Sequence, residues 1–258
     1  MSKKKSKEQL IKHKDTTIKQ WDSFLTSLIE NVSDDDSGKA DKLSYWLSDY
    51  KKYIDYETRF SPASLKRYKR GDVIKVNLGF NIGREFGGLH YAIVLDKNNS
   101  IYDHTLLVVP LTSVKPYKDL SHLRKDELLL DDEIFRLLDS NCRKIIEKAR
   151  SLHNQYSEQI RFFQKEHSTN DSDYSLKLQK IRAMQQQTQQ HIDLATKMMG
   201  ELSKMKLGSI ALIGQITTIS KIRIYDPCTG HDVLSKVRVS SETLDKIDSC
   251  IIQNYIGK

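Results

Sequence analysis

Residues 71–95, GDVIKVNLGFNIGREFGGLHYAIVL, contain two strand-like runs on either side of a glycine-rich segment. In the first run Ile74, Val76 and Leu78 fall on one face, because successive side chains of a strand point to opposite sides. The second run, residues 91–95, is apolar throughout, and so is the run at 106–111 that follows the turn-prone residues 96–100. Such runs predict strands buried on both faces, as in a tight β-barrel.

Strand-like sequence returns near the C-terminus. Residues 209–219 and 222–225 predict a hairpin-like pair, and Ser240 is a predicted cap for a closing helix. Between the two strand regions, residues 131–205 carry apolar residues at steps of three and four, on both sides of a polar break at 168–173. This pattern predicts an antiparallel coiled-coil hairpin inserted into one β-domain, the alternative being a plain two-helix arm that only packs.

The N-terminal region is also predicted to be helical, over residues 7–31 and 41–57, with the run at 33–39 as a linker. The expected fold class is therefore α+β. Its predicted parts are a helical extension at residues 1–67, a β-domain at 68–130 and 206–258, and the helical arm at 131–205.

The amino-acid composition favours some kinds of partner and argues against several kinds of site. The net charge of +8 favours a polyanionic partner such as nucleic acid. The three cysteines, Cys142, Cys228 and Cys250, form no CxxC pair, which argues against a zinc ribbon or a disulfide scaffold and fits a reducing cytoplasm. No apolar run approaches the ~18 residues of a membrane helix, so no membrane association is expected. The histidines show no metal-ligand spacing, and we expect no metal site.

Four features of the β-region resemble the PemK/MazF family of toxins. They are the Gly-Asp start at residues 71–72, the G-x-E-x-G-G loop at 83–88, the V-x-P-x-T-S pattern at 108–113, and Gln215 followed by Thr218-Ile219. Residues 240–256 also fit the family's last helix. The resemblance covers residues 68–118 and 206–256.

The resemblance implies an SH3-like barrel and a metal-independent endoribonuclease without cofactors, the toxin of a type II toxin–antitoxin system in the cytoplasm. Such enzymes cut single-stranded RNA and leave a 2′,3′-cyclic phosphate and a 5′-hydroxyl. The implied partners are single-stranded RNA, a protein antitoxin and a second subunit. This chemistry needs a base for the 2′-hydroxyl, an acid for the 5′-oxygen and donors for the phosphate oxygens.

The family's catalytic pair is an Arg after the Gly-Gly and the Thr that ends the third strand, and the matching residues are His90 and Thr112. An imidazole in place of the Arg can act as acid or base near neutral pH, although it loses the double fork that holds phosphate. The alternative is a structural histidine, or the remnant of a lost site. Tyr91 departs from the family's Pro.

Arg84, Glu85, Ser113 and Gln215 complete the predicted site, with Arg84 restoring a cation beside the phosphate or remaining a solvated loop charge. Gly214 replaces a carboxylate that several family members have, so any role of that carboxylate must have moved. Further candidates are phosphate contacts at Lys115, Lys118, His122, Arg124, Lys221 and Arg223, and base-stacking rings at Phe86, Tyr91 and Tyr117.

Two other functions stay open. The departures at His90 and Gly214 suit a binding module that has lost catalysis, and related toxins use the same barrel to inhibit a topoisomerase. The intact glycine loop and Thr112 favour the nuclease, because a topoisomerase inhibitor needs no phosphate pocket in the barrel.

Overall fold

The computed structural model describes residues 5–30, 34–165, 172–204 and 208–257. These residues form an α+β structure with five α-helices and seven strands. The chain divides into two units, one made of the residues up to Phe60 together with Gly79–Ile82, and the other of Ser61–Leu78 together with the residues from Gly83 onward. The arm at 131–205 lies in the same unit as the strands, and the predicted domain boundaries stay predictions.

The N-terminal unit contains helices α1 (Lys7–Glu30) and α2 (Asp34–Glu57), which contact each other. The predicted linker at 33–39 is wrong for residues 34–39, which belong to α2, while residue 33 lies outside the described residues. α2 begins at Asp34, and an acidic sequence is favoured at the start of a helix by the helix dipole. Among the described side chains of this helix pair, only Ala40 and Leu43 are buried.

The strands of the second unit form one antiparallel sheet. They are β1 (Val73–Asn77), β2 (Leu89–Val94), β3 (Thr105–Ser113), β4 (Glu127–Leu129), β5 (Ser209–Leu212), β6 (Thr217–Ser220) and β7 (Ile224–Asp226). Their order is β4-β5-β3-β2-β1-β7, and β6 pairs with the first half of β3. Within the described residues this sheet is not closed, because its end strands β4 and β7 do not pair with each other.

The two apolar runs form most of β2 and β3, and their buried residues lie on both faces, as predicted, although Leu107 of β3 is 38% exposed. Ala92, Ile93 and Val94 have no exposed surface. Ile93 packs with Val73 in one apolar cluster, whereas Ala92 and Val94 pack with Ile74 in a second cluster on the other face. The predicted common face of Ile74, Val76 and Leu78 is confirmed, since all three belong to this second cluster.

The predicted strand at 209–219 is interrupted. A 3₁₀ turn at Ile213–Gln215 separates β5 from β6, and β6 pairs with β3 while β7 pairs with β1. The predicted hairpin-like pair of residues 209–219 and 222–225 is therefore wrong. The interruption has a tertiary cause: the backbone N–H groups of Ile213 and Gly214 donate to the carbonyl of Asp126, at 2.9 and 3.4 Å, which draws the chain away from the ladder.

Helices α3 (Glu133–Lys165) and α4 (Ser172–Leu202) pack against each other within the arm. The Sγ of Cys142 lies 3.7 Å from the carbonyl oxygen of Ala195, so the start of α3 lies beside the end of α4. The predicted break at 168–173 falls outside the described residues at 168–171, and α4 already includes residues 172 and 173. Coiled-coil packing of the two helices stays a prediction.

The base of the arm contributes to the main hydrophobic core. This core contains β-strand residues such as Val73 and Ile93, and Ile247 of α5 (Ser241–Ile251). It also contains six residues of the arm: Ile134, Leu138, Cys142, Ala195, Met198 and Leu202.

The last helix begins as the sequence predicts. The side chain of Ser240 accepts a hydrogen bond from the backbone N–H of Thr243 at 3.2 Å, which caps α5, and a π-helical turn at Ile252–Ile256 follows. None of the helices that the structure describes combines the length and the apolar character of a membrane span.

Candidate functional site

His90 lies near the start of β2, directly after the glycine-rich loop. It pairs with Val76 of β1, and the backbone N–H of Leu78 donates to the carbonyl of Gly88 at 2.7 Å. Gly88 has a φ of +91°, a conformation that side-chain-bearing residues rarely adopt. The glycine therefore permits the turn that leads the chain into β2 and fixes the position of His90.

The imidazole of His90 is half-buried against Phe86, with the ring centroids 4.2 Å apart. Burial lowers the pKa of His90; a hydrogen bond to the Gly87 backbone opposes this, and the nearby positive charge of Lys115 lowers the pKa further. The ring is consequently neutral near pH 7. Because one ring nitrogen is engaged with Gly87, the other keeps a lone pair that can accept a proton.

Thr112 and Ser113 are half-buried at the end of β3, where they pair with Ile210 and Ser209 of β5. On its other side β3 pairs with β2, and Ala92 lies opposite Pro110. The pairing of β2 with β3 ends at Ala92 and Pro110, and His90 and Thr112 each lie two residues beyond that last pair. Because side chains alternate along a strand, each of the two shares a face with its member of the pair. The structure thus places the two predicted catalytic residues on neighbouring strands with a common orientation.

Gln215 holds the glycine-rich loop in place. Its side-chain Oε1 accepts a hydrogen bond from the backbone N–H of Phe86 at 3.1 Å, and its Nε2 lies 3.5 Å from the carbonyl oxygen of Arg84. Arg84 and Glu85 are both exposed on this loop. The side chain of Arg84 has no partner among the described residues, so its guanidinium is available to a ligand.

Sequence reasoning missed Asp126, which lies just before β4. A Cβ atom added at Gly214 would come within 2.0 Å of the Asp126 carboxylate oxygen Oδ2. The carboxylate of Asp126 therefore occupies the space into which a side chain at position 214 would project. Arg124 accompanies it, with Nε 3.3 Å from Oδ1 of Asp126. Only the contact between these sequence-distant segments places Asp126 beside Gly214, and the sequence carries no signal for it.

Tyr91 is not part of this site. Neighbouring residues of a strand face opposite sides, so Tyr91 points away from His90. Its hydroxyl donates to the carboxylate of Glu201 in α4, and Lys75 donates to both oxygens of that carboxylate at 3.0 Å. The hydroxyl of Tyr91 thus joins β2 to the arm, and the predicted stacking of its ring on an RNA base stays a prediction.

Most of the predicted phosphate contacts are already engaged. Lys118 pairs with Glu127 at 3.0 Å, and His122 lies 2.7 Å from Asp119. Others bond to backbone carbonyls: Lys221, nearly fully buried, to Ser100 at 2.9 Å, and Arg223 to Asn77 at 2.7 Å. Arg124 pairs with Asp126, as described above, and also with Glu127 at 3.5 Å.

Lys115 is the exception among these candidates. It is exposed and has no hydrogen-bond or ion-pair partner within the described part of the chain, and its charge lies close enough to affect the pKa of His90.

Within the described residues, no three His, Cys, Asp or Glu side chains are arranged to hold a metal ion. No protein-family model matches the chain, and no curated protein is similar to it in sequence.

Proposed function

We propose that the chain is a metal-independent endoribonuclease that cleaves single-stranded RNA, the toxin of a type II toxin–antitoxin system with an SH3-like core of the PemK/MazF type. One observation carries the proposal. A neutral His90 imidazole lies on the same face as Thr112 of the neighbouring strand, near the cation of Lys115, which has no partner among the described residues. The three groups offer a proton acceptor, a hydroxyl donor and a positive charge, as phosphodiester cleavage by an internal hydroxyl requires.

In this mechanism the free ring nitrogen of His90 takes the proton of the ribose 2′-hydroxyl. The resulting 2′-oxygen attacks the adjacent phosphorus, and the bond to the 5′-oxygen breaks. The hydroxyl of Thr112 and the ammonium of Lys115 stabilise the negative charge that builds up on the non-bridging oxygens. The 5′-oxygen leaves as a hydroxyl after taking a proton from water, and the protonated His90 gives its proton to the hydroxide that forms. This restores the neutral imidazole, and a 2′,3′-cyclic phosphate remains.

Gln215 and Asp126 act as positioning residues in this proposal. Gln215 fixes the backbone at Phe86, whose ring packs on His90. The carbonyl of Asp126 holds the turn from which Gln215 projects. Its carboxylate supports the resemblance, because it supplies the negative group that position 214 lacks.

The test is to express the chain in a bacterium, with and without the substitution His90→Ala, and to map RNA ends that carry a 5′-hydroxyl. We expect cleavage by the wild type, and a loss of about 10²- to 10⁴-fold with His90→Ala, the usual contribution of a general base. His231→Ala, which removes an exposed imidazole from the loop after β7, is the matched control and should cleave normally. Purified protein should keep its activity in excess EDTA.

Three results would contradict the proposal. Equal cleavage by a folded His90→Ala protein would remove His90 from the mechanism. Activity lost in EDTA and restored by magnesium or zinc would exclude the metal-free reaction. Growth inhibition without new 5′-hydroxyl ends would favour topoisomerase inhibition, which an assay of DNA supercoiling would then reveal.

A further inference from the structure

The segment that follows β3 forms a tight turn anchored at both ends. Before the turn, Val114 is buried and its backbone N–H donates to the carbonyl of Gly208 at 3.0 Å. The turn closes with a hydrogen bond of 3.0 Å from the N–H of Lys118 to the carbonyl of Lys115, and Pro116 restricts the backbone at its second position. The ion pair of Lys118 with Glu127 ties the far end to β4. The side chains of this turn are therefore presented on a fixed backbone.

Tyr117 projects from the tip of this turn. It is 86% exposed, and within the described residues its ring and hydroxyl have no partner. The other two predicted stacking rings are engaged: Phe86 packs against the ring of His90, and the ammonium of Lys75 lies 5.6 Å from the ring centroid of Tyr91. A tyrosine held on a fixed backbone loses little conformational entropy when a planar ligand stacks on it.

Lys115 stands two residues before Tyr117, and its charge reaches His90. The same short turn thus carries the one unpaired cation among the six candidate phosphate contacts and the one unpaired ring among the three stacking candidates, counted over the described residues. A cation followed by an exposed ring matches a phosphate followed by an unpaired base. Paired bases are stacked on their neighbours and do not offer a free face.

We propose that the turn at residues 115–118 is the RNA-recognition element of this site: Lys115 binds a phosphate, and Tyr117 stacks on an unpaired base next to the bond that is cut. This inference rests on the proposed ribonuclease function. It identifies the substrate as single-stranded at the base beside the cleaved phosphate. It also assigns Tyr117 a role in affinity and none in the chemical step, whereas Lys115 acts in both.

The binding test uses the full chain with His90→Ala, which should not cut the probe, and a fluorescein-labelled single-stranded RNA of twelve nucleotides with mixed sequence. Adding Tyr117→Ala should weaken binding by about 5- to 100-fold, the usual contribution of one stacked base, whereas Tyr117→Phe should stay within about twofold. Adding Lys115→Ala should reduce the slope of log affinity against log salt by about 0.7, which corresponds to one lost phosphate contact on a single strand. Tyr102→Ala, which removes a tyrosine that is 72% exposed before β3, is the matched control and should leave affinity unchanged.

A duplex of the same sequence separates stacking from charge. Tyr117→Ala should leave duplex affinity unchanged, and an equal loss on duplex and single strand would overturn the stacking assignment. Unchanged single-strand affinity of Tyr117→Ala, or absence of RNA binding by the parent protein, would overturn the inference.

The inference and the proposed function fail in different ways. If the wild type cuts RNA and Tyr117→Ala changes neither binding nor KM, the inference is wrong and the ribonuclease stands. If single-strand binding depends on Tyr117 in a wild-type protein that cuts no RNA, the recognition element stands and the ribonuclease is wrong.

Discussion

The pKa of His90 links its surroundings to the pH dependence of cleavage. Burial lowers the pKa of His90 below its ordinary value of 6.5, and the charge of Lys115 adds to this effect against a hydrogen bond to Gly87. A base must be unprotonated to act, so the acid limb of kcat/KM should have its midpoint below the ordinary histidine value of 6.5. Lys115→Ala removes one lowering cause and should move this acid limb to higher pH.

Thr112→Val provides the comparison for this pH profile. It removes a hydroxyl donor without changing the charge near His90, so it should lower kcat/KM by roughly 10²-fold at all pH values and leave the acid limb where it is. The measurement is kcat/KM for an RNA oligonucleotide across the acidic and neutral range. A wild-type limb above the ordinary histidine value, or a limb that Lys115→Ala does not move, would contradict the role of His90 as base.

Position 214 needs a glycine because the side chain of Asp126 occupies the adjacent space, and not because of the backbone angles at Gly214. An added Cβ would lie 2.0 Å from Oδ2 of Asp126 and 3.1 Å from the hydroxyl of Tyr255, so Gly214→Ala should destabilise the fold by roughly 1–3 kcal/mol, the usual range for overpacking. Gly230→Ala is the matched control, because no atom of the described residues lies within 4 Å of its Cβ position. Urea denaturation measures both. The cost of Gly214→Ala should shrink in an Asp126→Ala background, and equal costs in the two backgrounds would show that Asp126 is not the obstacle.

At the scale of secondary-structure elements, the sequence predicts the helices and strands that are marked by a pattern within their own residues. Strands β1 to β3 follow from alternating or continuous apolar residues, and α5 from Ser240 and the apolar steps after it. The break between β5 and β6 has no local signal, since it depends on hydrogen bonds to Asp126, far away in the sequence. β4 has only three residues and depends on its pairing with β5, so periodicity could not predict it.

The candidate site likewise has a part that the sequence predicts and a part that depends on tertiary contacts. Sequence resemblance selects His90, Thr112 and Gln215, and the structure brings the first two to neighbouring strands and the third to the loop before β2. What the sequence cannot predict is which charged and aromatic residues are already engaged. Lys118 and Lys115 look alike in the sequence, yet only Lys118 has an acidic partner within the described residues.

The arm and the strands are joined by polar contacts as well as by the core. Burial alone would raise the pKa of Glu201. Hydrogen bonds from Tyr91, Lys204 and Lys75 outweigh this effect and lower the pKa to about 2. Glu201 is thus ionised over the physiological range, and its bonds to β1 and β2 persist there. The end of α4 is therefore fixed to the strand that carries His90.

At the scale of the whole molecule, the base and the far end of the arm should differ in their importance for folding. Replacing residues 131–205 by a short Gly/Ser linker removes six buried side chains from the main core. A large buried apolar side chain contributes about 1.5–3 kcal/mol, so the four large ones alone account for about 6–12 kcal/mol. This loss is comparable with the roughly 5–15 kcal/mol by which a typical domain is stable. We expect this chain to be molten and to aggregate.

A shorter deletion keeps the base. Cys142 lies beside Ala195, and eleven residues farther along each helix, three turns in an α-helix, His153 lies at the level of Met184. Replacing residues 154–183 by a Gly/Ser turn therefore joins neighbouring ends and retains the six core residues and Glu201. This chain should be monodisperse in size-exclusion chromatography and melt cooperatively by circular dichroism. A soluble, cooperative product of the full deletion would show that the strands fold without the arm, and aggregation of the short-arm chain would show that its far end is also needed.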